Sequence, residues 1–320
     1  MIGAARPIER ETWPFVVDAE RPAPVPSGSL LTVFRARFEE LRQTAAERGA
    51  VLFRGFDLCD RATFHDFVQQ AVQPLDYVYG NSPRSRLTEA VYTSSEFPPE
   101  FSISFHNELS YCASWPRYLL FFCALAAAEG GETPLVDSHA LWQALPRHLR
   151  ERFEKRGLLY IRNLHGGKGL GPSWATTFGT SERARVESLC EAGDIRFEWK
   201  DDGSLRIWEL RPATQLHPDT GEPLWFNQAD QFHPTNHPAV VGDALAQYYR
   251  GREEDMPHYC LHGDRTPLDP TDLEVVRRTA KSLARAFSWQ RGDLLLVDNM
   301  KAAHGRNPYR GAREILVSMF

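Results

Sequence analysis

A histidine and a carboxylate stand two residues apart in Phe105-His106-Asn107-Glu108-Leu109. A second histidine, His304, lies far downstream in Asp298-Asn299-Met300-Lys301-Ala302-Ala303-His304-Gly305-Arg306, and Arg313 follows it in Gly311-Ala312-Arg313-Glu314-Ile315. Two imidazoles and one carboxylate can occupy one face of an octahedral iron(II) site. The positions left open then serve a co-substrate and dioxygen, as in non-heme iron oxygenases. A guanidinium just beyond the distal histidine suits a bidentate carboxylate partner. The types and order of these residues point to an oxygenase.

The chain must bring residue 106 beside residue 304, so strands distant in sequence have to become neighbours. Its composition allows this. The 320 residues are 42% hydrophobic and 25% charged, ordinary for a globular chain with a large core. A net charge of −5 argues against a nucleic-acid binder. The five cysteines are odd in number, scattered and without a CxxC pair, which points to a reducing cytoplasm rather than a disulfide framework or structural zinc. The start of the chain has no apolar core of a signal peptide, and the longest apolar run, Tyr118 to Ala128, is too short to span a bilayer.

Residues 1–30 are rich in proline and charge and read as an extended lead-in; residues 31–320 read as one domain. Apolar spacing predicts helices over Leu30–Glu47, Arg61–Val72, His139–Lys155 (with Pro146 starting its second half) and Asp269–Phe287, the last capped by Asp269 or Thr271. Strands are predicted at Ala50–Phe56, Tyr118–Leu125, Leu135–Asp137, Arg206–Leu210, Gly292–Asp298 and Glu314–Met319. The predicted class is mainly β with flanking helices, arranged as a double-stranded β-helix, or jelly roll, because that topology pairs strands remote in sequence.

His106 and Glu108 would share a strand face, with Asn107 on the other. A carboxylate between Phe105 and Leu109 needs a partner such as a metal. His165, His217, His233, His237, His258 and His262 compete for the distal role, His233 most seriously. None of them is followed by an arginine that opens a strand.

The stretch Phe105 to Asp137 resembles the taurine dioxygenase (TauD/TfdA) superfamily of iron(II)/2-oxoglutarate dioxygenases: His-x-Glu, Trp115-Pro116, an apolar strand, then Gly130-Gly131-Glu132-Thr133. Gly292 to Met319 resembles its C-terminal signature, and Leu52-Phe53-Arg54-Gly55-Phe56 also fits. The resemblance implies that His106, Glu108 and His304 hold Fe(II). Arg313 and Thr133 would bind the distal carboxylate of 2-oxoglutarate, with Arg310 as the alternate arginine or a solvated turn residue. Most of the superfamily has aspartate where this chain has Glu108. Glutamate is similar to the clavaminate synthase-like and SyrP-like branches, which act on amino acids or carrier-bound aminoacyl groups. A halogenase would have a small residue there.

The implied reaction couples oxidative decarboxylation of 2-oxoglutarate by O2 to oxidation of a C–H bond. Hydroxylation in secondary-metabolite (peptide antibiotic) biosynthesis is the default; desaturation, epoxidation or cyclisation would use the same ligands. Arg162 and Asn227 are candidates for a substrate carboxylate or amide, and Trp225 for a pocket wall; the alternative is a surface ion pair for Arg162 and a core position for Trp225. The expected partner is an amino-acid-like small molecule or an aminoacyl thioester on a peptidyl carrier protein. Arg277, Arg278, Lys281 and Arg285 would offer that carrier a basic face. Two readings from other classes stand beside this one. A zinc-dependent hydrolase would use the same ligands without needing Arg313, and a metal-free binding protein would leave them without purpose.

Overall fold

The computed structural model describes residues 14–19, 25–75, 87–88, 90–94 and 97–320. Its centre is a six-stranded sheet in the order Phe15–Asp18, Ala50–Arg54, Leu294–Asp298, Tyr118–Leu125, Glu314–Met319, Tyr92–Thr93. The middle strands are apolar along nearly their whole length because both faces are covered. Val51, Phe53, Leu120, Phe122, Leu294 and Leu296 point to one side, where they bury Phe34 of the helix Ser27–Ala36, Leu41 of Phe38–Arg48 and Phe64 of Arg61–Ala71. Their alternate neighbours, including Leu52, Phe121, Leu295 and Val317, point the other way and meet Leu135 and Ala302. Strand periodicity thus sorts one apolar run into two cores.

Leu135 and Ala302 belong to a second, three-stranded sheet, ordered Ile103–His106, Ala302–Arg306, Leu135–Asp137. In it His304 lies directly opposite His106, and opposite Leu135 on its other side. A third, four-stranded antiparallel sheet is made by Arg196–Trp199, Leu205–Arg211, Leu158–Leu164 and His258–His262. The architecture is therefore mixed helix and sheet. Among the described residues the six- and three-stranded sheets face each other as separate sheets, and no hydrogen-bonded ladder closes them into a barrel.

Two predicted helices are each two helices. Leu30–Glu47 is interrupted at Arg37, whose φ of −117° is not helical. His139–Lys155 is Ser138–Ala144 and Arg147–Arg156, with Pro146 as the N-cap of the second; the residue before a proline is pushed out of the helical region. Asp269 caps the late helix through Thr271 N–H at 2.8 Å. That helix ends at Leu283, and Phe287 instead packs on Trp289 with ring centroids 4.7 Å apart. In the lead-in, Phe15–Asp18 adds a parallel strand to Ala50–Arg54.

Gly305, next to His304, has no room for a side chain: a Cβ there would lie 2.7 Å from the carbonyl oxygen of Ile103 on the paired strand. The register shifts between His304 and Arg306 at this point. Gly305→Ala should push the two histidine-bearing strands apart and cost about 1–3 kcal/mol, the usual range for overpacking. A urea denaturation midpoint that does not move would show the strands tolerate the separation.

Candidate metal centre

The strand carrying His106 ends at that residue, and Glu108 sits beyond it in a tight turn. Leu109 adopts φ 56°, a left-handed conformation that costs energy in a branched residue and reverses the chain. The turn, rather than strand alternation, swings the carboxylate back over the imidazole. The Glu108 Oε2 atom lies 3.9 Å from His106 Nε2 and 4.0 Å from His304 Nε2. The imidazole centroids are 4.3 Å apart. All three residues are buried, and the candidate ligand atoms lie within 4.8 Å of one another. The carboxylate–imidazole distances are too long for hydrogen bonds. They suit three donors arranged around an ion. This is the cluster of metal-ligating groups found among the described residues.

The donors are aimed by their neighbours. The Nδ1–H of His106 donates to the carbonyl of Ser104 at 3.0 Å, which leaves the Nε2 lone pair facing Glu108. The ring of His304 rests on Phe121 of the six-stranded sheet at 5.2 Å. Glu108 is held through its backbone. Its N–H donates to Asn299 Oδ1 at 2.7 Å, and its carbonyl accepts from Asn299 Nδ2 at 3.0 Å. Asn107 donates to the Asn299 carbonyl at 2.7 Å. Asp298 in turn accepts from Met300 N–H and Lys301 N–H, both at 3.0 Å, and its other oxygen accepts from Arg117 at 2.8 Å. Asn299 belongs to the candidate site, although in the sequence it reads only as part of a polar turn. Its partner is 191 positions away, and no local pattern reports such a bond.

The Nε–H of Arg313 donates to the Gly131 carbonyl at 2.9 Å. Gly131 has φ +73°, and a Cβ on it would meet Arg313 Cδ at 3.0 Å, so glycine lets the arginine pass. Burial, followed by the charge of Arg306, pulls the Arg313 guanidinium down to about 10. Among the described residues it forms no ion pair. Thr133 is buried and Arg313 half-buried; the Thr133 hydroxyl oxygen accepts from Trp289 Nε1 at 3.1 Å, which leaves the hydroxyl hydrogen to donate. Arg310, the alternate, is exposed and 3.7 Å from Glu129 at the surface.

The three candidate substrate residues are engaged elsewhere. Arg162 is fully buried, not at the surface; it pairs with the buried Glu209 at 3.2 Å and lies over the Tyr111 ring at 5.1 Å. The Asn227 side chain donates to the Ala213 carbonyl at 2.8 Å and accepts from Ala229 N–H at 3.1 Å. Trp225 packs on Phe153, centroids 4.9 Å apart. Trp225 and Asn227 line a cavity that His106, Glu108 and His304 do not. The rival His233 caps the short helix Pro234–Asn236, its Nδ1 accepting from Thr235 N–H at 3.3 Å.

Residues 18–319 match the family described as "Taurine catabolism dioxygenase TauD, TfdA family". The chain belongs to the TauD/TfdA family. It is 33% identical over 275 residues to the dapdiamide synthesis protein DdaC of Enterobacter agglomerans, covering 86% of this chain and 82% of DdaC. It is 30% identical over 327 positions to a clavaminate synthase-like protein of Arabidopsis thaliana, covering 97% of this chain and 94% of that one. In fold it is similar to PvcB of Pseudomonas aeruginosa, described as an Fe, alpha-ketoglutarate dependent oxygenase from an isonitrile synthetic pathway. The TM-score is 0.51 at 17% identity, covering 95% of this chain and 84% of PvcB. This TauD/TfdA chain is a 2-oxoglutarate-dependent dioxygenase, with Fe(II) as cofactor and 2-oxoglutarate and O2 as co-substrates.

Two outcomes follow from this geometry. Asn299→Ala, which frees both ends of the Glu108 peptide, should weaken iron(II) binding about 10- to 100-fold, as loss of an outer partner typically does; an anaerobic iron titration with unchanged affinity would remove Asn299 from the site. Burial, helped by the charge of Arg277, holds His233 down at about 4, and burial holds His258 at about 3. Each binds fewer protons folded than unfolded between those values and about 6.5, so stability falls as the pH drops through that window. The urea midpoint should decline from pH 6.5 to 4, and less steeply in His233→Gln; equal slopes would show that His233 titrates alike in both states.

Proposed function

We propose that this dioxygenase oxidises an unactivated C–H bond of an amino acid, or of an aminoacyl group held on a peptidyl carrier protein, in secondary-metabolite biosynthesis, with hydroxylation as the outcome. The observation that carries the site assignment is the buried His106–Glu108–His304 cluster, together with a half-buried Arg313 that makes no ion pair among the described residues. Iron held by that triad would activate O2, the oxidant for both 2-oxoglutarate decarboxylation and C–H cleavage.

The chain's own residues position the reactants and keep water away. Ser104 fixes the tautomer of His106, and Asn299 fixes the peptide of Glu108. Arg313 is half-buried and has no counter-ion among the described residues, and a cation drawn out of water without one is costly. The distal carboxylate of 2-oxoglutarate would supply that counter-charge, with Thr133 donating to the same group. Arg310 has no part in this reading, because its exposed side chain is on the surface.

The amino-acid reading is supported by Glu108 in the carboxylate position and by the likeness to DdaC, whose name assigns it to dapdiamide synthesis. The face-to-face six- and three-stranded sheets support a jelly-roll domain over residues 31–320, with residues 1–30 as its lead-in. The cysteines described are free, and no helix among the described residues is long and apolar enough to cross a membrane; a cytoplasmic place is proposed on that basis. Of the four basic residues offered to a carrier, Arg277 is spent on Asp230 at 2.6 Å and Glu274 at 2.9 Å.

Succinate formation from 2-oxoglutarate with iron(II), ascorbate and oxygen tests the site. His106→Ala should bring it to background. Arg313→Ala should raise KM for 2-oxoglutarate about 10- to 100-fold, the worth of a charged hydrogen-bonded pair; an unchanged KM would take Arg313 out of the co-substrate site. Presenting one amino acid free and as its carrier thioester separates the two substrate forms: turnover of the thioester alone supports the carrier, and efficient turnover of the free acid dispenses with it.

A further inference from the structure

The strand Ile103–His106 is an edge of the three-stranded sheet, and backbone groups at a sheet edge need partners from outside the ladder. The Ser104 carbonyl finds two. It accepts from His106 Nδ1 at 3.0 Å and from Gln231 Nε2, 127 positions away in sequence, at 3.2 Å. Gln231 thus does at this edge what a neighbouring strand does inside a sheet, and it does so at the one carbonyl that orients a candidate metal ligand.

Gln231 does not act alone. Its Oε1 accepts from Gln228 Nε2 at 2.5 Å, and Gln228 Oε1 accepts from the Ser110 hydroxyl at 3.3 Å. The polarity of this chain is fixed at one end. A carbonyl oxygen only accepts, so Gln231 turns its Nε2 to Ser104. Its Oε1 then faces Gln228, which donates in turn and leaves its own oxygen for Ser110. Ser104 stands two residues before His106, and Ser110 two residues after Glu108. The two amides therefore bridge both flanks of the segment that carries the imidazole and the carboxylate.

The loop that presents them is itself fastened. The Asn227 side chain donates to the Ala213 carbonyl at 2.8 Å, and the Gln228 N–H donates to the Tyr160 hydroxyl at 2.9 Å. Asp230 pairs with Arg277 of the helix Pro270–Leu283 at 2.6 Å. Gln228 is buried and Gln231 half-buried, which limits competition from water for these bonds.

We infer that Gln231, braced by Gln228, is a positioning residue for His106: by holding the Ser104 carbonyl in place it keeps the imidazole proton on Nδ1 and Nε2 turned towards Glu108 and His304. This deepens the proposed function and rests on its reading of His106 as an iron(II) ligand. The hydrogen bond made by one ring nitrogen decides which nitrogen is left to take a metal. A Ser104 carbonyl released from Gln231 is free to turn, and the imidazole then loses the acceptor that selects its tautomer.

The variants Gln231→Met and Gln231→Glu, both close to glutamine in size, test this. Neither can donate to Ser104 as the amide does. Gln228→Met, which removes the brace, supplies the same test should a change at position 231 prevent folding. Long-range proton–nitrogen NMR of the metal-free, 15N-histidine-labelled full chain reads the tautomer, with His106 assigned by the signals lost in His106→Ala. The wild type should show a protonated Nδ1 and a bare Nε2, and the variants should move towards the opposite tautomer. An anaerobic titration with iron(II) alone should show affinity about tenfold weaker in the Gln231 variants, as loss of an outer partner typically gives. Wild-type nitrogen signals in the variants would overturn the inference even if iron(II) bound more weakly, because Gln231 would then act by another route. Wild-type iron(II) affinity in both Gln231 variants, with His106→Ala losing the metal, would also overturn it and leave the ligand assignment standing. If His106→Ala bound iron(II) as the wild type does, the ligand assignment would fall, and the inference with it.

Discussion

The carboxamide of Asn299 grips the Glu108 peptide at both ends, taking its N–H at 2.7 Å and giving a hydrogen to its carbonyl at 3.0 Å. It acts as a strand neighbour would, at a place where no strand runs. Buried backbone groups must be paired, and the turn after His106 has no ladder to pair with. The rest of the site hangs on this contact. It fixes the turn that carries the carboxylate to the turn that leads into the strand of His304. The Asp298 caps and the Arg117 ion pair make that second turn rigid. Two segments that carry the candidate ligands and are remote in sequence are thereby joined.

Around that junction the sheets set the distance. The six-stranded sheet is buried on both sides and offers Phe121 as the floor beneath His304. The three-stranded sheet sets His106 opposite His304 by register alone, and Gly305 lets the two strands approach. The remaining charge is managed by geometry rather than by pairing. Arg306 and Arg313 lie on the Tyr309 ring, at 5.2 and 5.5 Å, and each guanidinium is desolvated. A buried Arg306 and a half-buried Arg313 over one ring favour an incoming anion. The same logic makes the buried Arg162 a poor candidate for substrate, since Glu209 already answers its charge.

The candidate ligand set was legible in the chain because metal chemistry restricts residue types so severely: His-x-Glu, a distal histidine and a strand-borne arginine leave few alternatives. The strands Tyr118–Leu125 and Glu314–Met319 were equally plain, since burial on both faces demands unbroken apolar runs. The joint between Ser138–Ala144 and Arg147–Arg156 was half visible, as Pro146 marks it. The break at Arg37 was not, because nothing in that residue's type forbids helix. The four-stranded sheet was mostly missed; its strands are broken by charged residues such as Arg162 and Glu209 that only pairing across strands makes tolerable.

The sequence by itself therefore nominated the candidate iron ligands and the candidate cation for a dicarboxylate, and determined where the core strands run. These follow from residue type and from periodicity, both local properties. Tertiary structure alone decided that Glu108 is delivered by a strained turn instead of a strand, that Asn299 holds it, that Arg310 stays at the surface, and that Arg162 and Asn227 are bonded, and Trp225 packed, elsewhere. Each of these depends on a partner tens to hundreds of residues distant, and hydrogen bonds and packing across such separations leave no trace in the spacing of the chain.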